Sequence, residues 1–188
     1  MWVVDPLDGT REFVQGIPEF CVSIAMVENG IPVAGGICNP ATKELILGSR
    51  ETGVTYNGKA AQSSQRKDLH GALVLASRSE VKRGEWKQFE SADFDTRPMG
   101  SVAYKLGLVS AGLADVTFTL VPKHEWDVAA GAALVLSAGG FVHTLENTGL
   151  KCNQRKPLIS GLVACGPHLQ TELLALLSAH LHPVDGNR

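Results

Sequence analysis

The sequence has no surplus of basic charge, no paired cysteines and no long apolar run, and each absence closes off a class of function. Its 17 Lys and Arg against 19 Asp and Glu leave a formal charge of −2, so binding to a nucleic-acid polymer or a membrane surface has no support in composition. No apolar stretch approaches the roughly 20 residues that a membrane-spanning helix needs. The four cysteines, Cys21, Cys38, Cys152 and Cys165, lie far apart without a C-x-x-C pair. They read as buried free thiols of a reducing compartment, against both a zinc site and a disulfide framework. With no signal peptide ahead of the first strand, cytoplasm is the expected location. The histidines at 70, 124, 143, 168, 180 and 182 show no H-x-x-x-H spacing, and Ser23, Ser101 and Ser137 lack a G-x-S-x-G setting. Gly35-Gly36 and Gly139-Gly140 form no dinucleotide fingerprint and read as turns or close-packing positions. There are no repeats or low-complexity tracts.

What the sequence does hold is enough apolar residue, 44%, for one sizeable core, with 19% charged residues. Strand and turn signals fill the first part. Phe20 to Val27, the Asn29-Gly30 turn and Val33 to Cys38 predict a β-hairpin; Leu45 to Leu47 predicts a third strand; Val54 to Tyr56 with Asn57-Gly58 predicts an edge hairpin. A polar, basic stretch from Ala61 to His70 marks a loop between two units, about 1–60 and 71–188 of a single domain. In the second unit, strands are expected at Leu73 to Ala76, Ala114 to Phe118, Phe141 to His143 and Leu162 to Ala164. Helices are expected at Ser101 to Ala111, Val128 to Ala138 and Thr171 to Leu181, the first ending at Gly112. This alternation argues a layered α/β sandwich with site residues at the ends of elements.

The densest chemistry is the run Trp2-Val-Val-Asp-Pro-Leu-Asp-Gly-Thr-Arg-Glu-Phe13. Asp5 and Asp8 flank Pro6 and Leu7, so a sharp turn can aim both carboxylates and the Leu7 carbonyl at one hard cation such as Mg2+. Gly9 and Thr10 then offer backbone amides to an anion. If a helical turn begins at Thr10, those amides lie at its positive end, and the threonine hydroxyl adds a donor. The alternative is a plain surface turn, since Asp, Pro and Gly are turn formers. Far along the chain, His124-Glu-Trp-Asp-Val-Ala-Ala-Gly131 leads into an apolar helical run, with Asp127 at the helix start. An aspartate there can be only an N-cap. With Asp5 and Asp8 it can instead complete a three-carboxylate cage for metal and phosphate.

The two motifs, in this order, resemble those of the inositol monophosphatase superfamily of Mg2+-dependent, lithium-sensitive phosphatases. The resemblance runs from Trp2 to about His168 and includes Gly100-Ser-Val-Ala-Tyr-Lys-Leu106 and Gly161-Leu-Val-Ala-Cys-Gly166. It implies the αβαβα sandwich of that family, Mg2+ as cofactor, and a small phosphorylated substrate; dimers are frequent in the family. It further implies that Asp5, the Leu7 carbonyl, Asp8 and Asp127 hold metal, and that Gly9 and Thr10 hold the substrate phosphate. Asp5, Asp8, Thr10 and Asp127 would then be the catalytic set, with His124 placed beside the substrate. Family members carry two helices and a strand ending in a Glu-Glu pair ahead of the D-P-x-D-G-T strand. Nothing stands ahead of Met1, so the resemblance implies a fold lacking its N-terminal helices and first strands. Such a fold loses the water-activating glutamate and exposes apolar surface on one face of the first sheet. A catalytically incomplete fragment or an interaction module is the corresponding alternative.

On substrate, the residues around the second motif favour one branch of the family. Its inositol phosphatases place a sugar-binding glutamate seven residues before the W-D aspartate, where this chain has Leu120. Its 3′(2′),5′-bisphosphate nucleotidases place an apolar residue there, a proline at the position of Pro122, a lysine at that of Lys105, and a basic residue, Glu and Phe after D-G-T, as in Arg11-Glu12-Phe13. The resemblance therefore favours hydrolysis of adenosine 3′,5′-bisphosphate to AMP and phosphate, with Lys105 near the cleft mouth, over inositol-1-phosphate or another sugar phosphate. Lys105 can equally be a solvated residue on a helix face.

Overall fold

The computed structural model describes residues 1–181; residues 182–188, His182 among them, lie outside the described residues. The first part folds into β1 (Trp2–Asp8), a helical turn α1 (Thr10–Val14), β2 (Cys21–Glu28), β3 (Ile31–Asn39), β4 (Glu44–Ser49), β5 (Gly53–Tyr56) and β6 (Lys59–Ala61). The six strands pair antiparallel in sequence order. Tight two-residue turns explain that order. Asn29 and Gly30, and again Asn57 and Gly58, all adopt positive φ, the backbone twist that two-residue hairpins require. In β2, Cys21, Ser23, Ala25 and Val27 are buried while the residues between them are not, as period-two alternation demands.

A polar connection leads to β7 (Ala72–Ser77), α2 (Arg78–Lys82), β8 (Phe94–Met99), α3 (Val102–Ser110), β9 (Val116–Thr119), β10 (Lys123–His124), α4 (Glu125–Ser137), β11 (Phe141–His143), β12 (Leu158–Ile159), β13 (Leu162–Cys165) and α5 (Gln170–Leu181). The second sheet has the order β11-β13-β9-β7-β8, with β7 parallel to β8 and to β9. The hairpins and the three long helices fall close to where the sequence places them, although the helix expected from Val128 starts at Glu125. Two elements do not follow from pattern. β8 reads Phe-Asp-Thr-Arg-Pro-Met, polar and proline-bearing, and is tolerated because it is an edge strand where a missing amide donor costs nothing. α2 spans only five residues, too few for periodicity to show.

Helices α3 and α4 fill the space between the two sheets, and α5 closes the far side of the second. The fold is thus the layered α/β sandwich expected. Ala103 to Ser110 are all buried in α3, which is therefore enclosed on every side. Two glycines allow the close approach. A Cβ on Gly131 of α4 would sit 2.3 Å from the Leu106 Cβ of α3, and one on Gly35 of β3 would sit 2.4 Å from the Ala130 carbonyl oxygen. Fully buried Leu106 and Leu134 each contribute about 1.5–3 kcal/mol by leaving water. On the other side of the second sheet, Leu169, Leu173 and Leu177 pack with Trp86, Phe89 and Phe118, the Trp86 and Phe118 rings stacked at 4.2 Å.

The outer face of the first sheet is apolar and open. Trp2 is 66% exposed, Val4 49% and Leu47 45%; Trp2, Ile24, Leu45 and Leu47 border a shallow groove of about 520 Å3. Among the described residues no helix lines this groove. No described helix is long and apolar enough to cross a membrane.

The α3–α4 contact gives a direct test. Gly131→Ala should lower unfolding stability by about 1–3 kcal/mol, because its methyl group meets a side chain that cannot retreat between two sheets. Gly149→Ala, where an added Cβ meets nothing within 4 Å, should change it by less than about 0.5 kcal/mol. Urea denaturation of the two variants measures the difference.

Candidate active site

Strand β1 ends in an irregularity. Its pairing with β2 runs regularly to Asp5↔Ser23 and resumes only at Asp8↔Cys21, leaving one extra residue on β1. Pro6, which has no amide to donate, suits such a bulge. The bulge, and not the isolated turn the sequence suggested, re-aims the two aspartates. The Leu7 amide donates to Asp5 Oδ1 at 2.9 Å. Gly9 follows with φ 89°, and a Cβ there would lie 2.6 Å from the Glu19 carbonyl, so both conformation and space require glycine. α1 begins at Thr10 as expected.

Asp8 is the buried member of the set. Its Oδ2 accepts a hydrogen bond from the Ser101 hydroxyl at 2.6 Å and another from the Ala103 amide at 2.7 Å. Ser101 is the N-cap of α3, and its oxygen also accepts from the Tyr104 amide at 3.0 Å. It holds φ 53°, an uncommon backbone state for serine, which places one hydroxyl between a helix terminus and a carboxylate. Asp127 enters from the other side of the sequence. It is the third residue of α4 and not its first: the helix starts at Glu125 with His124 as N-cap, and Asp127 Oδ2 accepts the His124 amide at 3.2 Å.

One oxygen from each of Asp5, Asp8 and Asp127 lies within 4.8 Å of the others. Burial, and then the neighbouring aspartates, push the Asp8 carboxyl up to about 6 despite the two donors that favour its ionised form. Burial likewise raises Asp127. Three carboxylates facing one point with no cation among their hydrogen-bond partners are the donor set a hard divalent ion fits. The Leu7 carbonyl accepts the Thr10 hydroxyl at 3.0 Å, which leaves its second lone pair available. The threonine hydroxyl is thus engaged with Leu7 here, which leaves the first backbone amides of α1 as the donors at this end.

These residues line a cleft of about 490 Å3 that also takes in Gly9, Thr10, Ser101, Lys105, Lys123, Trp126 and Arg78. Lys105 is in the cleft lining and only 2% exposed, so it is not on a solvated helix face. Burial pulls its ammonium down to about 8. His124 is not brought into the lining: it is exposed, and its ring stacks on Trp126 at 4.4 Å. Leu120 also lies elsewhere. Its side chain packs against the Trp86–Phe118 cluster, so the absence of a hydrogen-bond acceptor at that position does not bear on what the cleft accepts. Sequence reasoning missed Ser101, Arg78 and Lys123 as cleft residues. Ser101 carried a usable signal, a serine directly before a helical run; Arg78 and Lys123 carried none, since only the fold brings α2 and β10 to this cleft.

The inositol monophosphatase family model matches residues 1–182. The Nus factor SuhB of Xylella fastidiosa is 42% identical over 149 residues, covering 76% of this chain and 54% of that protein. An inositol-1-monophosphatase of Rhizobium meliloti is 35% identical over 172 residues, covering 88% of this chain and 62% of that protein. The solved inositol monophosphatase of Anabaena sp. PCC 7120 superimposes with a TM-score of 0.84 at 29% identity, over 95% of this chain and 71% of the other. The chain therefore spans less than two thirds of the length of these two curated relatives.

The raised Asp8 carboxyl predicts a pH dependence. Between the ordinary 3.8 and about 6 the folded chain keeps a proton on Asp8 that the unfolded chain releases, so this group's contribution to stability falls as pH rises through that window. Without divalent metal, wild type should lose on the order of 2 kcal/mol relative to Asp8→Asn between pH 4 and pH 7.5. A divalent cation at about a hundredfold its Kd should raise wild-type stability by about 2.7 kcal/mol at pH 7.5, and much less in Asp127→Asn. Denaturant titrations read both; a pH-independent difference between wild type and Asp8→Asn would contradict the assignment.

Proposed function

The chain belongs to the inositol monophosphatase family, and on that premise we infer that it carries the metal- and phosphate-binding half of a Mg2+-dependent phosphomonoesterase. The observation that carries this reading is the convergence of Asp5, Asp8 and Asp127 on one point, beside the free amides that open α1. All-oxygen donors of this kind suit Mg2+. When bound, Mg2+ supplies charge neutralisation and Lewis-acid polarisation of a phosphoryl oxygen.

The protein's own part is placement. Asp5, the Leu7 carbonyl, Asp8 and Asp127 hold the metal. Ser101 and Ala103 fix the Asp8 carboxylate through two hydrogen bonds, so that it does not reorient during reaction. The Gly9 and Thr10 amides hold a phosphate oxygen, which orients the ester for in-line attack by water. Thr10 acts a second time by fixing the Leu7 carbonyl. A reducing cytoplasm suits the four free thiols.

Inositol-1-phosphate is the first substrate to test, because relatives named inositol-1-monophosphatase align over most of the chain. Adenosine 3′,5′-bisphosphate is the second reading, favoured by one feature: Lys105 is buried in the cleft lining with no carboxylate within ion-pair distance among the described residues. His124 keeps an indirect part in this reading, stacking on the Trp126 ring that lines the cleft.

Phosphate release from both compounds, with Mg2+ and with EDTA, tests the reading. Mg2+-dependent release from either supports it, and Asp127→Asn and Asp8→Asn should each reduce the rate at least about a hundredfold. Release unaffected by EDTA would overturn it. Stabilisation by Mg2+ without release from either compound would identify a metal-binding chain that does not complete catalysis by itself. If the bisphosphate is the substrate, Lys105→Met should raise its KM about tenfold or more with a smaller effect on kcat.

A further inference from the structure

Both donors that fix Asp8, the Ser101 hydroxyl and the Ala103 amide, sit at the start of α3, so the aim of that carboxylate depends on where the first turn of this helix lies. The chain leading into α3 does not set that position. Ser101 enters the helix at φ 53°, a positive-φ state that breaks the line of the preceding strand, so the direction of α3 is not inherited from β8. A turn further on, Gly107 brings the helix against the first sheet: a Cβ there would lie 2.8 Å from Ile46 Cδ1 and 3.2 Å from Ile37 Cδ1. Apolar contact of this kind sets a distance, but it is non-directional and leaves the helix free to roll or to slide along its axis.

The directional contact comes from Tyr104. Val102 and Ala103 carry no polar side-chain atom, whereas the buried Tyr104 reaches the first sheet and donates its hydroxyl to Glu44 Oε2. Its backbone amide donates to Ser101 Oγ at 3.0 Å, and the Ser101 hydroxyl donates in turn to Asp8 Oδ2 at 2.6 Å. One residue thus joins Glu44 at one end to the hydroxyl that holds Asp8 at the other. Glu44 opens β4, opposite Asn39 and two residues from the Ile37↔Ile46 pair, which puts it on the face that meets α3. It is tied to the sheet independently of the helix: Oε1 accepts the Tyr56 hydroxyl of β5 at 2.6 Å, and Oε2 also accepts the Thr42 hydroxyl. Burial by itself would raise the Glu44 carboxyl, but the hydroxyls of Thr42, Tyr104 and Tyr56 hold it below the usual carboxylate value. Burial, and then the bond to Glu44, push the Tyr104 phenol up to about 12, so it remains a donor throughout the neutral range. A half-buried carboxylate that collects three hydroxyl donors is ionised and fixed in direction, and it gives the helix a rigid point of attachment.

We propose that Glu44 is a positioning residue of the metal site: through the Tyr104 hydroxyl it fixes the roll and axial position of α3, and so keeps Ser101 and Ala103 at the Asp8 carboxylate. The role rests on the metal-binding reading of Asp5, Asp8 and Asp127. It extends the machinery of the site to β4 and β5, strands that line no part of the cleft.

Calorimetric titration with Mg2+ at pH 7.5 without substrate, alongside urea denaturation in EDTA, separates positioning from support of the fold. Tyr104→Phe, which removes one hydroxyl, should weaken Mg2+ binding about fivefold relative to wild type, less than the roughly 10–100-fold typical of residues that bond a metal ligand directly. Glu44→Ala should do the same, and the double variant should be no more than about twofold weaker than either single one, because both changes break the same link. Tyr56→Phe takes a different hydroxyl from the same carboxylate; it should lower unfolding stability to a similar degree yet change the Mg2+ Kd less than about twofold, since Tyr56 does not lead to α3. Where Glu44→Ala fails to fold, the contrast between Tyr104→Phe and Tyr56→Phe decides. A Kd in Tyr104→Phe within about twofold of wild type, or an equal loss in Tyr56→Phe, would reveal a cluster that serves the fold alone and would overturn the positioning role while the metal site stands. Absence of Mg2+ binding in wild type would overturn the metal-binding reading and the role with it.

Discussion

The hydrogen bonds from Ser101 and Ala103 to the Asp8 carboxylate connect the two halves of the molecule at the point where the chemistry is placed. Asp8 ends the first strand of the first sheet, and Ser101 opens the helix that fills the space between the sheets. A buried carboxylate with fewer donors would be neutral or displaced. With these two it stays directed at Asp5 and Asp127 while its proton affinity remains raised. The rest of the site follows from that fixed point. Gly9 can turn sharply because the strand before it is pinned, and α4 delivers Asp127 because Gly131 and Gly35 let that helix lie flush against α3 and β3.

Charge is arranged in the cleft by opposition. The aspartates repel one another, which favours a cation among them, while Arg78 and Lys123 on the same lining are each held by a separate carboxylate, Glu19 and Glu80. Neither arrangement is a stability device. Buried like charges weaken the empty fold, and a buried ion pair such as Glu80–Lys123 gains little over apolar packing of the same volume.

Much of the fold was legible because it rests on local rules. Asn-Gly turns, alternating strands and glycine-ended helices all announce themselves within a few residues. The aspartate cage was legible as well, since Asp5, Asp8 and Asp127 sit in motifs whose residue types are chemically restrictive. What failed was inference about direction. His124 stands three residues from Asp127 and was expected beside a substrate, yet at the helix N-cap its ring turns onto Trp126. Leu120 was taken to face the cleft, but the end of β9 points it into the aromatic cluster. Arg78 and Lys123 were not singled out at all, because only the pairing of β7 with β8 and β9 and of β10 with β12 brings them to the cleft, long-range facts absent from any short window.

The cage joins residues from the first strand and from a helix far along the chain, and this has a kinetic meaning. Contacts of such sequence separation form late, after most chain entropy has been lost. A cation therefore finds its three carboxylates together only in a nearly complete molecule, and it has little to grip in a partly folded one. Its effect should fall on the lifetime of the native state, by slowing escape from it, and hardly at all on the speed with which that state is reached.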